Sequence, residues 1–426
     1  MFNILKVKIL LISFVFLFSS KAAIGANLVQ VLEEALNTNV QISAARKNLE
    51  AQKEELDQLR ALKLPTVSAN FSGDADWNLE NDNDSTSFSA GLTGQYVLFD
   101  GNLTDYQVLA ESLRIEGLEA EFEGIKQKVI YEAIIAYLNV LRDTRLVDLS
   151  KKNVSVLQQQ LNATISRFQL GELTRTDVAQ AKAALEAATS ILASREGILY
   201  LANHSFEMAV GIKPSDLDTN IRLPSLPKSE AEAKGFATKF SLELKANAIS
   251  EKRANYLLKA SQSKRWPTLQ LSTSLSAGET AAHQDFSNFG FSLTGSIPIY
   301  KGGSLKSGER KAQANLELSM INAEQSRLRV EQAVVAAWSD YEVSSAIIIA
   351  RTREVEATQL AYQGTLEETR LGARTILDVL NAEQTVMNAE TDLETARSSR
   401  LAAGFRVLLE TGTLTASTLG IDSLND

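Results

Sequence analysis

Two hydrophobic periods alternate along this chain. From Val29 to Leu64, Leu32, Leu36, Val40, Leu49 and Leu56 are spaced among Glu33, Glu34, Arg46, Lys47, Glu50, Lys53, Glu54 and Glu55. That spacing predicts one amphipathic helix, ended by Pro65. The period then drops to two. Over residues 65–77, apolar Val67, Ala69, Phe71, Ala75 and Trp77 alternate with Thr66, Ser68, Asn70, Ser72, Asp74 and Asp76. Over 87–99, Phe88, Ala90, Leu92, Tyr96 and Leu98 alternate with Ser89, Gly91, Thr93 and Gln95. Each run predicts a strand with one apolar and one polar face. A helical hairpin follows over 103–210. Val147, Val154, Leu161 and Phe168 recur at seven-residue steps, with Leu157 on the second seam position, which is coiled-coil spacing. At about 1.5 Å per residue its first arm is roughly 100 Å long. The chain turns at Gly171 and returns from about Thr176 to Val210.

The same order then recurs. Strand-like alternation returns over 267–277 (Leu269, Leu271, Leu275) and 289–299 (Phe289, Phe291, Leu293, Ile297), and a second long hairpin covers 304–411. The register is constant at 201 residues: Gly101 maps onto Gly302, Tyr137 onto Trp338, Gly171 onto Gly372, Thr174 onto Thr375, Asp177 onto Asp378 and Gly211 onto Gly412. A constant offset marks a duplicated unit. Residues 1–26 read as an export signal, with Lys6 and Lys8 before the apolar run Ile9–Phe18 and small Ala23, Gly25 and Ala26 at the cleavage region. The domains are then repeat 1 over 27–211, an irregular connector over 212–235 holding Pro214, Pro224 and Pro227, and repeat 2 over 236–426.

Composition narrows the chemistry. The chain has no cysteine, so it has no disulfide frame, thiolate metal site or lipid-bearing cysteine. A net charge of −9 argues against a nucleic-acid partner. No mature stretch has 18 consecutive apolar residues, so no transmembrane helix is expected. The strands, however, are each long enough to cross a bilayer when tilted. Tyr96, Phe99, Trp266 and Tyr300 lie at their helix-side ends, and Trp77, Phe286 and Phe289 toward their loops, which is the arrangement of two interfacial girdles.

Four such strands cannot stand alone. An open sheet in lipid leaves edge backbone groups unsatisfied, each costing several kcal/mol. Several copies must close one barrel. Two copies give eight strands, which side chains largely fill, whereas three give twelve and a real opening, so a homotrimer is expected.

Phe99-Asp100-Gly101, Tyr300-Lys301-Gly302-Gly303 and the duplicated Leu-Gly-x-x-Thr-x-x-Asp-Val at both hairpin turns make the chain resemble the TolC-like outer-membrane channel family. The resemblance implies an α+β membrane protein of the outer membrane. Each chain gives four transmembrane β-strands to a shared twelve-stranded trimeric barrel, continued by an antiparallel coiled-coil α-helical tunnel through the periplasm. It implies a conduit and not an enzyme, with no cofactor. It serves type I protein secretion or small-molecule efflux with a periplasmic adaptor (membrane fusion protein) and an inner-membrane ABC or RND-type pump. A pore-less periplasmic coiled-coil scaffold or adaptor is the alternative.

Residue by residue, the resemblance places adaptor docking at Leu170, Gly171 and Glu172 and at Leu371, Gly372 and Ala373. It places entrance gating at Arg374 and Asp378. Asn381 stands where the family has a second aspartate, and Thr369 where some members have a tyrosine, so the strength of closure is open. The sequence also gives Asp378 a plainer role. Thr174 with Asp177, and Thr375 with Asp378, have capping-box spacing at the start of the return helices. No catalytic group stands out. His204 and His283 have no metal-ligand spacing, and the Gly-Gly-Ser after Tyr300 lacks phosphate-loop spacing.

Overall fold

The structure, a computed structural model, describes residues 27–421 apart from 77–84, 281 and 283. The expected export signal, Trp77 and His283 lie outside the described residues. The elements run α1 (Leu28–Thr38), α2 (Val40–Ala61), β1 (Thr66–Asp76), β2 (Ser85–Phe99), α3 (Leu103–Gln169), α4 (Arg175–Val210), then α5 (Glu230–Phe240), α6 (Leu242–Ser263), β3 (Thr268–Glu279), β4 (Asp285–Ser296), α7 (Ser304–Arg370) and α8 (Ile376–Glu410).

The opening amphipathic stretch is two helices rather than one. Asn39 sits in an extended conformation between them and its side chain accepts from the Gln41 N–H at 2.8 Å, capping α2. Such local capping by a short polar side chain competes with helix continuation. The second repeat does the same with Ser241, which caps α6 at the end of α5. The segment read from sequence as irregular is also shorter, because Ser229 caps α5, which begins at Glu230 and runs through Gly235.

All four strands form one antiparallel sheet in sequence order, β1-β2-β3-β4. The register carries the alternation across the whole sheet. Phe71 pairs with Ala90, Leu92 with Leu275, Tyr96 with Leu271, and Leu275 with Phe289. Apolar residues therefore line one face, because side chains on paired positions share a side. The other face bonds through Ser72 to Ser89 (2.7 Å) and Asn70 to Thr93 (3.3 Å). A register shift between Val97 and Phe99 brings Phe99, in place of Leu98, opposite Leu269. Phe71, Phe289, Phe291 and Leu293 are all exposed.

Each long helix is 67 residues. α3 is flanked by α2 and α4, and α4 ends against α1, whose Thr38 hydroxyl donates to the Val210 carbonyl at 2.8 Å just before α2 begins. Two shorter helices end to end thus match one of roughly 100 Å. α6, α7 and α8 repeat the arrangement, and α3 packs on both α6 and α8. This leaves α2 and α4 on one flank and α7 on the other.

The main core lies at this mid-level junction. It holds Leu32 of α1, Ile130, Ile134 and Tyr137 of α3, Phe206 of α4 and Phe405 of α8. The Tyr137 hydroxyl donates to the Asp218 carbonyl at 2.8 Å, and burial pushes its pKa up to about 12. Trp338, one repeat later, occupies a second core with Val334 and Ala237.

By length and composition alone, α7 contains an 18-residue stretch apolar enough to cross a membrane, with a mean hydropathy of 1.3. Only 22% of that stretch is buried within the chain. Length and hydropathy alone do not make it a span. α7 runs on far past a bilayer's thickness and packs against α5, α6 and α8.

Candidate functional site

The two hairpin tips are built alike. α3 ends in a Schellman motif: the Gly171 N–H donates to the Phe168 carbonyl and the Glu172 N–H to the Arg167 carbonyl, both at 3.0 Å. Gly171 has φ +80, the left-handed value that the motif requires and that glycine adopts without a Cβ penalty. At the second tip the Gly372 N–H reaches Thr369 and the Ala373 N–H reaches Glu368, at 3.1 and 2.9 Å, and Gly372 has φ +77. Two of the orphan carbonyls at each helix end are thereby satisfied within the turn.

The return helices begin with reciprocal caps. The Asp177 N–H donates to the Thr174 hydroxyl and the Thr174 N–H to the Asp177 carboxylate, at 3.3 and 2.8 Å. Asp378 and Thr375 do the same at 3.2 and 2.9 Å. The Thr174 and Thr375 backbone N–H groups, helped by their hydroxyls, hold both carboxyls below the usual aspartate range. Ion pairs brace each turn: Arg167 with Glu172 (3.0 Å) and Arg374 with Glu368 (2.9 Å). The tight turns leave Leu170 and Leu371 almost fully in solvent. Each leucine thus presents its apolar side chain to solvent from the apex of a turn whose backbone is fixed by its own hydrogen bonds.

Of the residues singled out for the entrance, Arg374 is paired across its own turn. Asp378 is tied to its cap, and Asn381 is exposed one turn further along α8. Thr369 is buried, and its hydroxyl donates back to the Thr365 carbonyl at 2.8 Å. The second hairpin docks on the first through Ile376 and Leu380 of α8, packed with Leu157 of α3 and Ala188 of α4.

Sequence reasoning missed Glu383. It is buried at 8% exposure, and the Tyr362 hydroxyl of α7 donates to its carboxylate at 3.3 Å. Burial pushes its pKa up to about 7. Among so many solvated helix carboxylates it carries no motif. The available signal was its spacing, four residues after Val379 and seven after Ile376, on the buried face of α8. No group of three or more His, Cys, Asp or Glu side chains that could hold a metal occurs among the described residues.

The family model described as "Outer membrane efflux protein" matches residues 31–211 and 237–412. The chain is 28% identical to the outer membrane efflux protein BepC of Brucella suis over 95% of this chain and 89% of that one. It is 24% identical to the outer membrane protein TolC of Escherichia coli over 91% and 82%, and 23% identical to the alkaline protease secretion protein AprF of Pseudomonas aeruginosa over 92% and 85%. The fold matches the crystal structure of CusC with a TM-score of 0.83, covering 91% of this chain and 92% of that one at 18% identity. It matches the open state of the Neisseria gonorrhoeae outer-membrane channel MtrE with a TM-score of 0.80, covering 91% and 90% at 20% identity.

Proposed function

Because this chain belongs to the outer membrane efflux protein family, and is thus an outer-membrane export channel and not an enzyme, we propose that three copies form the channel. In this reading they close a twelve-stranded barrel, and their hairpins form a tunnel whose tips meet a periplasmic adaptor. One observation carries the reading. The sheet of a single chain is apolar over most of one face, with the charged Glu279–Asp285 pair confined to its loop end, and its outer strands β1 and β4 each pair on one side only. In lipid those two edges must meet, and the β4 edge of one copy suits the β1 edge of the next. The helices agree. The outer flanks, α4 and α7, carry exposed Ile191, Ile198, Leu318, Ile321 and Ile347 at the places where neighbouring copies would sit.

Passage through such a channel is passive. Apart from Asp74 and Asp76 near the loop end, the polar face of the described strands is dominated by Ser, Thr, Asn and Gln, which hydrate a lumen without selecting a ligand. Cargo choice then falls to an inner-membrane pump of the ABC or RND type, reached through the adaptor. The relatives' names span both efflux and protease secretion. Leu170, Gly171 and Glu172 with Leu371, Gly372 and Ala373 form the adaptor contact, and Arg374 and Asp378, with Asn381 behind them, form the narrow entrance.

Detergent extraction followed by mass measurement and planar-bilayer conductance tests this. A trimer with stable conductance is expected. A water-soluble single copy without conductance would overturn the reading.

A further inference from the structure

We propose that Glu383 and Tyr362 form a proton-controlled clasp that sets how tightly the second hairpin is held against the first, an inference that rests on reading the tips as the channel entrance. Glu383 lies seven residues into α8 and Tyr362 eight residues before the end of α7. The pair thus spans the hairpin roughly 10 Å above its turn. Glu383 continues the stripe of α8 that begins with Ile376 and Leu380, and that stripe meets Leu157 and Ala188 of the first hairpin. It is therefore a carboxyl at the margin of the apolar patch that joins the two hairpins.

The chemistry around it is one-sided. From α7 the Tyr362 hydroxyl is its hydrogen-bond partner. The patch contributed by α3 and α4 consists of Leu157, Val154, Ala184, Leu185 and Ala188. No charged group on α3, α4, α7 or α8 adds to the shift, which comes from burial and is only partly offset by Tyr362. A carboxyl so placed is comfortable neutral and costly when ionised. The sign follows. A carboxyl whose pKa is raised in the packed state stabilises that state at low pH. The contribution is lost as pH rises through about 7. Ionisation favours whichever arrangement lets water reach Glu383, and the available one parts α8 from the first hairpin.

The first repeat has no such device. One offset of 201 earlier, Lys182 stands for Glu383, exposed on α4, and buried Leu161 stands for Tyr362. The clasp belongs only to the hairpin that carries Arg374 and Asp378.

The cysteine-free chain allows a direct test. Spin labels on Thr189→Cys of α4 and Gln384→Cys of α8, both exposed, report the distance between hairpins by double electron–electron resonance. The distance should lengthen as pH rises through about 7. Glu383→Gln should keep it short throughout. Tyr362→Phe removes a donor that lowers the Glu383 pKa, so it should move the midpoint higher. A pH-independent distance in the parent chain, or the same transition in Glu383→Gln, overturns the clasp. Bilayer conductance of the same protein is the separate arm. A channel whose opening tracks the distance supports both ideas. A distance transition in a protein that conducts nothing refutes the channel reading instead.

Discussion

The Thr38 hydroxyl donates to the Val210 carbonyl at 2.8 Å, joining the end of α1 to the end of α4 across 172 residues of sequence. It marks the point where two short helices stack to match one long one. Gly211 follows at φ +90, and a Cβ there would lie 2.5 Å from the Thr38 hydroxyl oxygen. The second repeat builds the same joint from Gly412, at φ +73, whose Cβ would lie 2.4 Å from the Phe240 carbonyl oxygen.

These joints rank three glycine substitutions. Gly372→Ala meets open space and bears only the left-handed backbone cost, about 1–2 kcal/mol. Gly211→Ala adds a clash with a side chain that can rotate. Gly412→Ala adds a clash with fixed backbone. Thermal unfolding of the purified assembly should therefore show losses in the order Gly412, Gly211, Gly372. Equal losses would mean that the joints yield freely.

The cap and the charge of Asp378 can be separated. Thr375→Ala removes the reciprocal cap and leaves the carboxylate, costing about 1 kcal/mol at that helix end. Asp378→Asn keeps an acceptor oxygen and removes the charge. Three aspartates around an axis favour cations, so Asp378→Asn should raise single-channel conductance or weaken block by a trivalent cation. Thr375→Ala should leave block nearly intact. The opposite pattern would leave Asp378 as a cap alone.

Acid should loosen both tips. The folded pKa values of Asp177 and Asp378 are depressed below 3.8. Their contribution is complete above that value and is lost as pH falls through the lower, folded one. A nitroxide at Ala373→Cys should gain mobility below pH 3.8, and Asp378→Asn should abolish that pH dependence. Mobility independent of pH would show that the cap does not hold the turn.

Docking should depend on the exposed leucines. Leu170→Asp with Leu371→Asp places charge on both apices without touching the Schellman bonds. Conductance and trimer mass should be preserved while export by cells is lost at least tenfold. Full export by the double variant would move the adaptor contact off the tips.

How much of this was legible beforehand depends on range. The strand alternation, the turn glycines and the Thr-x-x-Asp boxes were readable because each is set by neighbours within four residues. The break at Asn39 was not. The spacing of Leu36 and Val40 reads on as one helix, and the bend is seen only where Thr38 meets the end of α4.

The sequence by itself determined which elements form, that they come twice, and that the strands have one oily and one wet face, since backbone geometry and side-chain period are local properties. Tertiary structure alone decided that all four strands share one sheet, that Phe99 rather than Leu98 pairs with Leu269, and that Glu383 is removed from water beside Tyr362. Burial depends on which distant helix covers a position, and no local period records that.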